Sequence, residues 1–204
     1  MKAKTKMTGA ERRRLIVAAA TRLFSERGFR GVTTRQLAEA VGVTEPVLYQ
    51  HFRTKRELYD AIIETHIREG EQLGRAVCTR GPLAGDDRRF FLEVAKLIVT
   101  FMTKHPEYVR LMLYSSLERH ELADMSFQRH IVAFYHCLRD YIQQRMDQGA
   151  FRPGDPLLAA RAFVGSIHQY AIFDRIFGFR LVKLSRKRVI EGLVDIFLDG
   201  VKQT

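Results

Sequence analysis

Between Thr33 and Lys55 the chain gathers side chains built for hydrogen bonding rather than for covalent chemistry: Thr34, Arg35, Thr44, Glu45, Tyr49, Gln50 and His51. Donors and acceptors of this kind, set on a helix of barely two turns, suit the base edges and phosphates of a duplex. Lys55 and Arg56 follow directly after Thr54, at the start of a further helix, where each cation opposes the helix dipole by about 0.3 to 1 kcal/mol. A phosphate bound at that helix start would offset the cost. The same pattern at Arg186, Lys187 and Arg188 after Ser185 has no such surroundings, so a solvated pair is the competing reading.

Other chemistries find little support. No Ser/His/Asp, Cys/His, phosphate-loop or dinucleotide-glycine pattern occurs in the sequence, so no enzyme and no cofactor are expected. His130 and His136 stand six apart, off a shared helical face, and His120 has only Glu118 and Glu121 nearby, so no metal site is expected. Cys78 and Cys137 are far apart, without Cys-x-x-Cys spacing, and both are read as reduced, with Cys78 a less favoured candidate for redox sensing.

Composition sets the frame in which that segment must work. The chain has 204 residues, 46% of them hydrophobic, enough to bury a core without staples in one or two small domains. No apolar run reaches the roughly 18 to 20 residues of a membrane span, and the stretch from Lys2 to Arg14 is basic without an apolar signal region; a cytoplasmic protein is expected. The net charge is +11, and it is uneven: residues 1 to 60 hold 13 Lys/Arg against 6 Asp/Glu, and the rest hold 21 against 17. An anionic partner near the front of the chain follows.

Hydrophobic residues recur with helical period nearly everywhere, which predicts an all-α protein of about nine helices. The first, from Thr8, aligns Leu15, Ile16, Ala19, Ala20, Leu23 and Phe24 on one stripe and stops at Gly28. A fourth helix runs from Lys55 to about Cys78, followed by a loop at Gly81, Pro82 and Gly85. Later stripes are Phe90 to Met102, a helix opened by Pro106, and Phe127 to Ile142 through Ile131, Phe134 and Leu138. Asp155 with Pro156, and Ser185, cap the last two.

In the segment of interest two short helical patterns meet at a tight turn, a helix-turn-helix. Thr33 and Gln36 form a capping box, Leu37 and Val41 point inward, Ala38 sits at the crossing and Gly42 supplies a left-handed turn. Thr44 is expected to cap the second helix, anchored by Val47 or Leu48 and by Phe52. Thr54 and Glu57 form another box.

From Arg12 to about Ile63 these motifs resemble the DNA-binding domain of the TetR family of bacterial transcriptional regulators. The likeness lies in Leu-Phe-x-Glu-x-Gly-Phe, Thr-Thr-x-x-Leu-Ala-x-x-x-Gly-Val, Leu-Tyr-x-His-Phe and Lys-x-x-Leu. The resemblance implies a DNA-binding domain over residues 1–68, with a basic arm over 1–10, and an effector-binding and dimerisation domain over 69–204. It implies that Arg35 and Glu45 reach base edges, that Pro46 and Val47 meet thymine methyls or sugar, and that Thr34, Thr44, Tyr49, His51 and Lys55 position phosphates. Thr33 and Gln50 complete the expected DNA-facing set. An acceptor at Glu45 departs from the family pattern and suits a cytosine amino group.

By the same resemblance the chain is a homodimeric regulator, a repressor, that binds a palindromic double-stranded operator with recognition helices about 34 to 36 Å apart. A small, largely apolar effector would release it. Phe101, Met102, Tyr108, Met112, Phe134, Tyr135, His136 and His168 are the expected effector-lining residues, although an aromatic stripe is more often plain core. Phe163, Val164, Ile167, Ala171, Leu193 and Phe197 are the expected dimer interface. A DNA-binding architectural protein without sequence preference, and a protein binding the membrane surface, are the alternatives; no membrane partner is expected.

Overall fold

The computed structural model describes residues 7–80, 86–118 and 131–202. Gly81, Pro82, Gly85, His120, Glu121, Phe127 and His130, all used in the sequence reading, lie outside the described residues, as does the arm before Met7. Nine helices and no strand are found among the described residues, and the chain divides into two compact units, Met1–Ile67 with Glu107–Asp124, and Arg68–Pro106 with Met125–Thr204.

In the first unit, α1 (Gly9–Arg27) begins where Thr8 and Glu11 cap each other reciprocally, so the helix takes up part of the expected basic arm. Ile16, Ala20 and Phe24, four apart, are fully buried, whereas Leu15 is 49% exposed: the inward stripe is narrower than the apolar one. α2 (Thr34–Val41) and α3 (Glu45–His51) form the helix-turn-helix. α4 (Lys55–Arg80) adds Leu58, Tyr59, Ile62 and Ile63 to the same core. α6 (Pro106–Leu117) adds Leu111, with Tyr108 and Met112 packed against the cluster. At the centre Tyr59 meets Phe24 and Phe29 edge to face, with centroids 5.2 and 5.0 Å apart, and Phe24 stacks on Phe29 at 5.8 Å.

The second unit holds α5 (Asp87–Lys104), α7 (Val132–Asp147), α8 (Pro156–Arg175) and α9 (Arg186–Val201), with α8 against α7, α5 and α9. Asp86, Asp155 and Ser185 cap their helices as the sequence predicts for the last two. Phe91 is the hub of the core, against Phe163 at 4.8 Å and Phe197 at 4.9 Å between centroids. One polar cluster sits inside: Arg145 donates to both oxygens of Asp87 at 2.8 and 3.0 Å, and Tyr141 donates its hydroxyl to the same carboxylate. Burial, followed by that carboxylate, pushes the Tyr141 hydroxyl well above its ordinary range.

The expectation of two reduced cysteines is overturned. Cys78 on α4 and Cys137 on α7 are joined by a disulfide, their Cα atoms 6.2 Å apart. That distance lies in the usual disulfide range of roughly 4.4 to 6.8 Å, and a separation of 59 residues carries no local signal of it. Closing a loop of that length stabilises a chain by about 4 kcal/mol in the chain-entropy account.

Candidate nucleic-acid interface

The helix-turn-helix is assembled from reciprocal caps and a left-handed turn. Thr33 Oγ1 accepts the Gln36 N–H at 3.2 Å while Gln36 Oε1 accepts the Thr33 N–H at 2.9 Å. Gly42 has φ +71° and ψ +36°, a conformation that L side chains resist, and it turns the chain so that Val43 donates back to the Ala38 carbonyl at 3.0 Å. Leu37, Ala38, Leu48 and Phe52 are buried beneath. Val47 is only half-buried, so Leu48 is the anchor of α3.

Thr44 occupies the cap position of α3 with extended backbone, yet its side chain makes no capping bond. Pro46 stands at the second helical position and has no N–H to give, which removes one of the two usual partners. Thr44 is exposed, as are Pro46, Tyr49 and Gln50, and Tyr49 is 44% exposed. His51 is half-buried.

Five of the expected DNA-facing side chains already have partners, Thr33 through its capping box among them. Thr34 donates to Glu45 at 2.8 Å, tying α2 to α3. Arg35 donates to Glu39 at 3.0 Å, one turn on, with 79% of its side chain exposed. Lys55 donates to the Val32 carbonyl at 2.6 Å and lies 4.2 Å over the Phe29 ring. Burial lowers the Lys55 ammonium below its ordinary value, against the opposing pull of Glu118. An ammonium has three donors, so this one keeps capacity for a phosphate while its stem is fixed.

Two positioning residues escaped the sequence reading. Arg13 on α1 donates to the His51 carbonyl at 2.9 Å and stacks 4.0 Å over Phe52, which holds the end of α3 from behind. Glu118, just past α6, accepts the Phe29 and Arg30 amides at 3.2 and 3.4 Å and so secures the turn after α1. These pairs are 38 and 89 residues apart, and no local spacing announces them.

The expected effector residues are distributed over both units. Tyr108 and Met112 belong to the first unit, where Tyr108 lies against His66 with ring centroids 4.7 Å apart. Burial pushes the Tyr108 hydroxyl up to about 12. Phe101, Met102, Phe134, Tyr135, His136 and His168 are in the second unit; Met102 is buried, His136 is exposed, and burial lowers His168 so that it is held neutral. A cleft of about 250 Å³ lies elsewhere, lined by Asp86, Arg88, Arg89, Leu92, Glu93 and Lys96.

The expected interface residues also resolve into two groups. Phe163, Val164, Ile167 and Ala171 are fully buried inside the chain and so are core, while Leu193 and Phe197 are half-buried, the latter on the Phe91 hub. The outer faces of α8 and α9 carry exposed apolar side chains among polar ones: Leu158 is 66% exposed and Ile196 72%, with Gly165 and Gly200 on the same faces on open surface.

This geometry agrees with what comparison with known proteins finds. Residues 16–62 match the model of bacterial regulatory proteins of the tetR family, and residues 91–200 match the C-terminal domain of AefR-like transcriptional repressors. The chain belongs to the TetR family of bacterial transcriptional regulators, with a C-terminal domain of the AefR-like type. It is 46% identical over 77 residues to the class A tetracycline repressor from transposon 1721 of Escherichia coli, a match covering 38% of this chain and 33% of that protein. Among solved structures it is similar to the ketosteroid transcriptional regulator KstR2 of Mycobacterium tuberculosis (TM-score 0.73, 19% identity, 97% of this chain and 98% of the other). It is also similar to AibR, solved with isovaleryl coenzyme A and operator DNA (TM-score 0.71, 21% identity, 91% and 97% covered). No described helix is long and apolar enough to cross a membrane.

Proposed function

We propose that the chain is a cytoplasmic repressor that binds a palindromic operator as a homodimer, with no enzymatic role, and is released by a small, largely apolar effector. The observation that carries the reading is the surface of α2 and α3: Thr44, Pro46, Tyr49 and Gln50 stand exposed on a short helix whose opposite side is locked by Leu48, Phe52 and Arg13. A rigid back and a hydrogen-bonding front are what a groove-reading helix requires. Arg35 and Glu45 read base edges, Thr33, Thr34, Thr44, Tyr49, His51 and Lys55 hold the backbone, and Pro46, Val47 and Gln50 complete the contact. In this role Thr34 and Glu45 must trade their mutual bond for contacts with DNA.

The dimer uses the outer faces of α8 and α9, where Leu158 and Ile196 are exposed and the bare backbone of Gly165 and Gly200 admits close approach. An effector acts by its differential affinity for dimers with different spacings of α3. That AibR was solved with a coenzyme A thioester and operator DNA supports an effector of this general kind. The domains follow the family: DNA binding in the front of the chain through residue 68, effector binding and pairing in 69–204.

Footprinting on the DNA flanking its own gene, with excess competitor duplex and a salt titration, tests the reading. Protection of one palindrome, with affinity falling steeply as salt rises, is the expected result. Uniform coverage without a preferred site would replace it with an architectural role.

A further inference from the structure

The disulfide between Cys78 and Cys137 is the feature of this chain that the regulator's reading leaves unused. Its two sulfurs are carried by different helices, and both residues are half-buried rather than sealed in the core, so small oxidants and reductants reach them. Cys78 ends a seam. Gly70, Gly74 and Cys78 lie four apart on one face of α4, and a Cβ at the two glycines would stand 3.6 Å from the Phe101 ring and 3.5 Å from the Phe134 ring. Along this seam α4 offers bare backbone to aromatic rings, and such contacts are individually weak. The sulfur bridge is the strong link in a row of weak ones. The same helix supplies Leu58, Tyr59, Ile62 and Ile63 to the core that supports α2 and α3.

We infer that Cys78 and Cys137 form a reversible dithiol modification site, oxidised by hydroperoxides, that fixes the far half of α4 against α7 and thereby alters operator binding. The inference rests on the DNA-binding reading above for its consequence, though not for its chemistry. A regulator working on DNA inside a cell meets a glutathione and thioredoxin pool that keeps ordinary thiols reduced. In that setting a closable pair carries information about oxidant rather than serving as a permanent staple. The step balances. One cysteine, as thiolate, attacks an oxygen of the peroxide; the O–O bond breaks, and the departing hydroxide or alkoxide takes up a proton, leaving a sulfenic acid. The second thiol attacks that sulfur, the S–S bond forms, and water leaves with the thiol proton. Both cysteine sulfurs are oxidised and the peroxide is reduced; thiol exchange with a cellular dithiol returns the starting state.

Seated contacts at Gly70 and Gly74 follow from the closed bridge. Opened, that half of α4 loses its covalent tie to α7 and keeps the Glu69 pairs with Lys104 and His105 at the end of α5, at 2.6 and 3.0 Å, so it can shift on α7 while still tethered to α5, which gives the two-state element that both oxidant and effector can bias.

The test uses the full chain, reduced with dithiothreitol or treated with hydrogen peroxide, and a duplex selected from a random library by the reduced protein. Peroxide should remove both titratable thiols, slow hydrogen exchange over residues 68–78 at least about tenfold, and change affinity for the selected duplex by about fivefold or more, within the usual range of coupling between sites. Dithiothreitol should reverse all three. Cys137→Ser and Cys78→Ser should behave as the reduced protein under either treatment; the wild-type comparison decides the matter if neither variant folds. The inference is overturned if peroxide leaves the thiols free, if the bridge persists at the glutathione poise of the cytosol, or if both states bind the duplex equally. Should neither state select any duplex, the DNA-binding reading fails, the operator consequence falls with it, and thiol titration with hydrogen exchange still decides the modification site.

Discussion

Thr34 and Glu45, eleven residues apart and on opposite sides of the turn, are joined by a hydrogen bond of 2.8 Å from hydroxyl to carboxylate. The bond couples α2 to α3 and also puts a negative charge on the surface proposed to meet phosphates. Replacing Glu45 by Gln keeps an acceptor for Thr34 and removes the charge. Affinity for duplexes lacking the operator should rise several-fold at low salt, preference at the base pair that Glu45 reads should relax, and stability should change by less than about 1 kcal/mol. Fluorescence anisotropy across a salt series, beside a urea titration, reads both; unchanged affinity would mean that Glu45 lies away from the DNA.

Arg35 and Lys55 should separate into different kinds of contact. Arg35 is largely exposed and paired with Glu39, so Arg35→Ala should leave stability within about 0.5 kcal/mol. It should cost about 1 to 3 kcal/mol on the operator and relax preference at one base position. Lys55→Met should weaken all duplexes evenly and lower the salt slope by about 1. It should also destabilise the fold by about 1 to 2 kcal/mol, because the ammonium loses the Val32 carbonyl and the Phe29 face.

Phe163 and Ile196 provide the matching contrast for assembly. Phe163→Ala opens the core around Phe91 and should cost about 3 to 5 kcal/mol. Ile196→Asp touches only the outer face of α9 and should leave the helical circular dichroism intact while shifting the dimer towards monomer in sedimentation velocity. A dimer that survives Ile196→Asp unchanged would place the interface on another face.

His168 carries a pH dependence whose sign is fixed by its burial, which lowers it from the ordinary value of 6.5. The unfolded chain is then the better proton acceptor, so the stability that neutral His168 allows is complete above 6.5 and is lost as pH falls below it. Urea titrations at about pH 8 and about pH 5.5 should show the advantage of wild type over His168→Gln shrinking at the lower pH. A constant difference would mean that the imidazole titrates normally.

The parts of this structure that were legible beforehand are those written within a few residues of each other. The Thr33 and Gln36 box, the left-handed Gly42 and the Asp155 cap are local chemistry, and each stands where its residue type predicts. Periodicity was less informative wherever a helix is apolar on more than one side. On α8 it could not say that Phe163, Val164, Ile167 and Ala171 turn inward while Leu158 turns out, because both faces carry the same kind of residue.

Tertiary neighbours were beyond it altogether. Tyr108 and Met112 pack on α6 against the core of the first unit, a neighbourhood that the period of α6 alone does not name. Cys78 and Cys137 meet because of how two helices lie together, which no spacing along the chain encodes.

The grip of Glu118 on the amides of Phe29 and Arg30 bears on how this regulator could be dissected. Someone excising the front of the chain at residue 68, to study the reading head alone, would discard that carboxylate together with Leu111 and Ser115, both wholly buried. The truncated piece would retain every motif that marks the family and lack the plug that closes its underside. An insoluble fragment would then report on where the cut was made, and say nothing about whether the intact molecule recognises DNA.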